Sequence, residues 1–155
     1  METRDRYNSA AEAESFAKFL AGEEDASYHV NWLAMVRKAT AAGRLFSRVR
    51  VVGLPPTDYT RFGLWVGSYT REAGDDIRYL AREHADADGL PGHDFWLFDS
   101  RLLLTMTFDD DDRFLGADVI EDPQAIVQHN YWRDAAKHHA LTLEDIVTTY
   151  GQRDV

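Results

Sequence analysis

Apolar positions recur at helical spacing through the first part of the chain. Residues 9–21 put Phe16, Phe19 and Leu20 on one stripe, with Ser9 and Glu12 spaced as a capping box. Residues 27–42 predict a second helix through Val30, Leu33, Ala34 and Val36, with Trp32 and Met35 nearby and Gly43 as its stop. The period then drops to two. Phe46-Ser47-Arg48-Val49-Arg50-Val51-Val52 alternates and is β-branched, which predicts a strand. Pro55-Pro56-Thr57-Asp58 breaks it and opens a helix over 57–73, with Tyr59, Phe62, Trp65, Val66 and Tyr69 at helical spacing. Gly63 and Gly67 lower its intrinsic propensity.

A strand over 76–80 follows, then a polar stretch, 83–93, that reads as a loop. Apolar runs at 94–99, 102–108 and 114–119, separated by short turns, predict an antiparallel meander. The unbroken apolar character of 95–98 predicts burial on both faces. Asp122-Pro123 opens a helix to about residue 140, and Thr142 caps a last one over 142–150. The order α-α-β-α-β-β-β-β-α-α predicts a single α/β or α+β domain, core about 9–150, with a mixed β-sheet flanked by helices.

Composition narrows the function classes. The 155 residues are 45% hydrophobic and 12% aromatic, enough for a core, and contain no cysteine, which removes disulfides, thiolate metal sites and cysteine nucleophiles. The start is polar and acidic, without a targeting pattern, and no apolar run approaches the roughly 20 residues of a membrane helix, so a cytoplasmic protein without membrane contact is expected. The net charge of −10 argues against direct nucleic-acid binding. That charge is unevenly spread. Residues 1–80 hold eleven basic and eleven acidic side chains, whereas residues 81–155 hold six and sixteen. Residues 37–50 carry Arg37, Lys38, Arg44, Arg48 and Arg50 with no acid among them. A dipolar chain of this kind suits a charged partner surface, and the bland alternative is a solvated helix face followed by a strand edge.

Candidate chemistry is sparse. Asp109 to Asp112 reads as a solvated turn in preference to a calcium loop, because the run lacks interleaved glycine and a distant glutamate. His129, His138 and His139 share a helix without metal-ligand spacing, so neither a metal nor a cofactor is expected. Trp65, Tyr69, Trp96 and Trp132 read as core rings, with a ligand pocket as the alternative. Arg78 and Asp99 suggest a buried clamp holding the sheet; alternatively Arg48, Arg50 and Arg78 at strand ends bind a small anionic ligand.

RVRVV (48–52), PPTDYTRF (55–62), AGDDIRYL (73–80), LPGHDFWLFD (90–99), FDDDDRFLG (108–116) and Trp132-Arg133-Asp134-Ala135-Ala136 together resemble a small family of high-GC Gram-positive bacteria known as a domain of unknown function. The resemblance covers roughly residues 15–145 and is carried chiefly by AGDDIR and DFWLFD. Its members are often encoded beside helix-turn-helix transcription regulators, which implies a regulatory or accessory role with such a regulator as protein partner. A weaker resemblance is to half of a phospholipase-D-like domain. There GHDFWLFD places Gly92 where the nucleophilic histidine would stand, Asp94 at the phosphate-binding lysine and Asp99 at the aspartate, which implies a descendant without the catalytic motif. A non-catalytic binding protein is therefore the leading expectation. The alternatives are a small hydrolase or phosphodiesterase-like enzyme using His93, Asp94 and Asp99 with Arg78, or a sensor binding a small molecule through Trp65, Tyr69 and Trp96.

Overall fold

The computed structural model describes residues 1–23 and 25–150 as a mixed α/β fold. Helix α1 is Ala13–Leu20; a 3-10 turn, Ser27–His29, leads into α2, Val30–Ala41. Strand β1 (Phe46–Val52), α3 (Asp58–Glu72) and β2 (Asp75–Ala81) form a β-α-β unit, and β1 and β2 pair in parallel with Phe46 opposite Asp75. A short helix, α4 (Arg82–Ala87), precedes the meander β3 (Phe95–Phe98), β4 (Leu102–Phe108) and β5 (Phe114–Ile120). Helices α5 (Pro123–His139) and α6 (Leu143–Tyr150) close the described chain. Their caps are the predicted ones: Asp122 accepts from Ala125 N at 2.7 Å and Thr142 from Asp145 N at 3.1 Å.

The expected single mixed sheet is two sheets, β1-β2 and β3-β4-β5. The N-terminal segment lies between them. Glu2 N donates to Val49 O at 2.9 Å and Glu2 O accepts from Val51 N at 2.8 Å. Met1 exchanges backbone hydrogen bonds with Phe95 on its other side. Residues 1–2 thus join both sheets into one strand layer, with β1 and β3 flanking them.

Alternation along β1 divides the core. Val49 and Val51 face α4 and α5, packing with Leu80, Ala85, Ala136 and Ala140. Arg48 and Arg50 point to the opposite face, where α3 lies. The glycines that weaken α3 by propensity make room there. A Cβ on Gly63 would stand 2.5 Å from Arg50 Nη1, and one on Gly67 would overlap Tyr79 Oη. Close approach of strand side chains to the helix backbone therefore outweighs the propensity cost.

Two further expectations are corrected. The stretch 83–93 is not all loop, since α4 occupies 82–87. Strand β3 is not buried on both faces: Phe95 is buried against α5, with its ring 4.7 Å from that of His129, but Trp96 and Phe98 are exposed.

A candidate small-molecule cavity

One face of the strand layer carries a cavity of about 790 Å³. Its floor is set by strand alternation: Arg48 and Arg50 from β1, Glu2 beside them, Asp94 and Trp96 at β3, and Met106 and Phe108 from β4. Tyr7, Glu12, Tyr28, His29 and Trp32 come from the N-terminal segment and the α1–α2 region; Tyr59, Val66 and Thr70 come from α3. Asp112, Arg113 and Phe114, at the β4–β5 hairpin, complete the rim.

The floor is an ionic network. Arg48 donates through Nε to Asp75 Oδ2 at 2.8 Å, through Nη1 to Glu2 Oε1 at 3.1 Å and through Nη2 to Thr70 Oγ1 at 3.3 Å. The second Glu2 oxygen lies 3.2 Å from Arg50 Nε. Two guanidiniums and two carboxylates balance one another, as burial of charge demands. Burial alone would raise the Glu2 carboxyl; Arg48 and Arg50 beside it hold it below its ordinary value. Asp75 is raised, because burial outweighs its pairing with Arg48 and its Oδ1 has no hydrogen-bond partner among the described residues.

Asp94 is locked. Its Oδ1 accepts from Thr3 N at 2.7 Å and Thr3 Oγ1 at 2.8 Å, and its Oδ2 accepts from Tyr7 Oη. Burial, with the acids Glu2 and Asp94 nearby, pushes the Tyr7 phenol far up, so it stays a neutral donor. Asp112 is held by Arg4 and Arg6, and Asn8 N donates to its carbonyl at 2.9 Å. The four-aspartate run is the predicted turn: Asp109 Oδ1 accepts from Asp111 N and Arg113 N at 2.9 Å each. Its last member, however, pins the N-terminal segment.

The sequence-derived candidates separate. Arg48, Arg50, Asp94 and Trp96 meet in the cavity. Trp65 and Tyr69 do not reach it; their rings pack 5.3 Å apart, and Trp65 also meets Phe19 and Phe62 in the aromatic cluster between α1 and α3. Arg78 pairs with Asp76 at 2.9 Å, away from Asp99, which sits in the β3–β4 turn at φ 51°. The buried clamp of the sheet is Arg48–Asp75, not Arg78–Asp99. His93 Nε2 lies 2.9 Å from His129 Nε2. With both rings neutral, His129 Nδ1 donates to Ala125 O, 2.7 Å away, and the proton between the rings comes from His93. Among the described residues no group of three or more metal-ligating side chains converges.

Glu2, Tyr7, Glu12, His29, Trp32 and Tyr59 escaped the sequence reading as site residues. The alternation of Met1-Glu2-Thr3-Arg4 was the available signal for a strand-like segment, masked by its polarity.

Fold and cavity define an α/β domain with one large, mixed polar and aromatic site on a strand layer. The chain belongs to the family described as a domain of unknown function, DUF6879, which matches residues 1–148. No curated protein and no solved structure matches it. Among the described residues no helix is long and apolar enough to cross a membrane.

Proposed function

We propose that this protein is a non-catalytic regulatory or accessory binding protein. It takes a small acidic molecule in the cavity and acts with a protein partner, a helix-turn-helix transcription regulator. One observation carries the reading: a cavity of about 790 Å³, of the size that holds small-molecule ligands, has in its wall an arginine, Arg50, whose two terminal nitrogens make no hydrogen bond to the described residues. A guanidinium with its paired outer nitrogens free suits a ligand carboxylate. No observation favours a hydrolase built on His93, Asp94 and Asp99. Asp94 already accepts three hydrogen bonds, His93 donates to His129, and Asp99 lies at the far end of β3.

The excess acid of the second half suits a basic partner, whose association would be steered by charge and weakened by salt. Thermal melts across a panel of carboxylate-bearing metabolites, amino acids included, test the binding reading. A ligand at one hundred times its dissociation constant stabilises the folded state by about 2.7 kcal/mol, a rise of about 5–10 °C for a chain of this size. A panel without any such rise overturns it. Pull-down of the adjacent regulator, strong at low salt and lost at high salt, tests the partner; no capture at low salt removes that part.

A further inference from the structure

The hydrogen-bonding capacity left free in the cavity wall says more about the ligand, granted that the cavity is a binding site. Arg48 spends each of its three nitrogens on a partner, Asp75, Glu2 and Thr70. Glu2, Asp94 and Asp112 are each engaged through both carboxylate oxygens. Apart from Arg113, an exposed rim residue paired through Nη1 with Asp111 at 3.1 Å, two charged groups are not satisfied. Arg50 uses only Nε, toward Glu2. Glu12 accepts from Tyr59 Oη at 2.7 Å through one oxygen, and its other oxygen has no hydrogen-bond partner among the described residues. Among the described residues no arginine or lysine pairs with Glu12.

These two groups flank a pair of tyrosines. Arg50 Cζ stands 5.8 Å over the Tyr7 ring, and the Tyr7 and Tyr59 rings are 6.4 Å apart, with Tyr59 holding Glu12. The wall thus offers a free donor pair and a free carboxylate on either side of two mutually tilted rings. A polyanion such as a phosphate ester would meet the cavity's carboxylates, Glu2, Glu12, Asp94 and Asp112, with the Arg48 and Arg50 charges already balanced by Glu2 and Asp75 and the rim Arg113 paired with Asp111. A plain cation would leave Arg50 unmet. We infer that the ligand is a zwitterion of the amino-acid class, its carboxylate on Arg50, its ammonium on Glu12 and its apolar or aromatic body among the cavity's rings.

Matched probes test this: the common L-amino acids, led by L-tryptophan and L-phenylalanine, with their N-acetyl derivatives and the corresponding amines, titrated calorimetrically into the full chain. The expected result is that at least one free amino acid binds, and that losing either the ammonium or the carboxylate weakens it about tenfold or more, the scale of one charge-assisted hydrogen bond. Glu12→Gln keeps an acceptor for Tyr59 and removes the charge. It should weaken the amino acid about tenfold and leave its N-acetyl derivative unchanged, with an unaltered melting temperature of the free protein showing that the fold is intact. Acidic metabolites that bind while no amino acid does would overturn the zwitterion assignment and leave the cavity reading standing. N-acetyl derivatives binding as well as the free amino acids would do the same. If neither amino acids nor acidic metabolites bind, both fall.

Discussion

Gly67→Ala separates the packing account of α3 from its intrinsic propensity. By propensity alone the substitution stabilises the helix by about 1 kcal/mol. In the structure the new methyl would overlap Tyr79 Oη, at the end of a rigid side chain that is 0% exposed, so the ring has nowhere to move. Overpacking of that kind costs about 1–3 kcal/mol. The single variant should therefore be neutral to about 2 kcal/mol less stable than the parent. Tyr79→Phe removes the overlapping oxygen, which is buried without a hydrogen-bond partner among the described residues and whose phenol is pushed up to about 12 mainly by burial. The methyl's nearest neighbours are then Tyr79 Cζ at 3.3 Å and Ile77 Cδ1 at 3.7 Å, close to ordinary contact. In the Tyr79→Phe background the alanine should recover its helix gain of about 1 kcal/mol, giving a coupling of about 1–3 kcal/mol between the two sites. Urea unfolding of the parent, both single variants and the double variant measures it. Equal stabilisation by Gly67→Ala in both backgrounds would refute the reasoning, because it would mean that the helix does not close on Tyr79.

The floor network sets an acid limb. The folded Glu2 carboxyl lies below its ordinary value, so its contribution is complete above about pH 4.5 and is lost as pH falls through the folded value. Glu2→Gln should flatten that limb in a pH series of urea melts and cost about 3–5 kcal/mol at neutral pH, since Arg48 and Arg50 lose a shared partner; an unchanged acid limb would show that Glu2 is not the group responsible. Burial and the neighbouring His129 lower the His93 imidazole, so stability from this site is complete above about pH 6.5 and declines as pH falls below it. An NMR titration should place the His93 midpoint below that of a free imidazole, and His129→Asn should raise it; a His93 midpoint at or above the free value would contradict the pairing.

The β-α-β unit, the meander and both caps of the last helices could be read from local pattern, because each depends on neighbours in sequence. What could not be read depends on what covers a surface. The FWLF run promised burial on both faces, yet Phe95 is buried against α5 while Trp96 and Phe98 are exposed. Helix α4 carries a single buried side chain, Ala85, too little to mark a period. In the basic stretch Arg37, Lys38 and Arg44 are a solvated face, whereas Arg48 and Arg50 turn inward. The alternation with Val49 and Val51 hinted at this division, but the acids that make it tolerable, Glu2 and Asp75, lie far away in sequence. Trp65 and Tyr69 are half-buried rings packed on one another outside the cavity, and Trp32, read only as lying near a helix stripe, lines it.

The chain's four tryptophans report directly on the central claim, that the cavity is where a ligand binds. Trp32 and Trp96 line it; Trp65 and Trp132 pack elsewhere, against the α1–α3 rings and against His93 and His129. With each indole N–H signal assigned by single Trp→Phe variants, titration with the compound that most raises the melting temperature should move the Trp32 and Trp96 signals together and leave Trp65 and Trp132 in place. Movement centred on Trp65 or Trp132, with Trp32 and Trp96 unmoved, would contradict the assignment of the site.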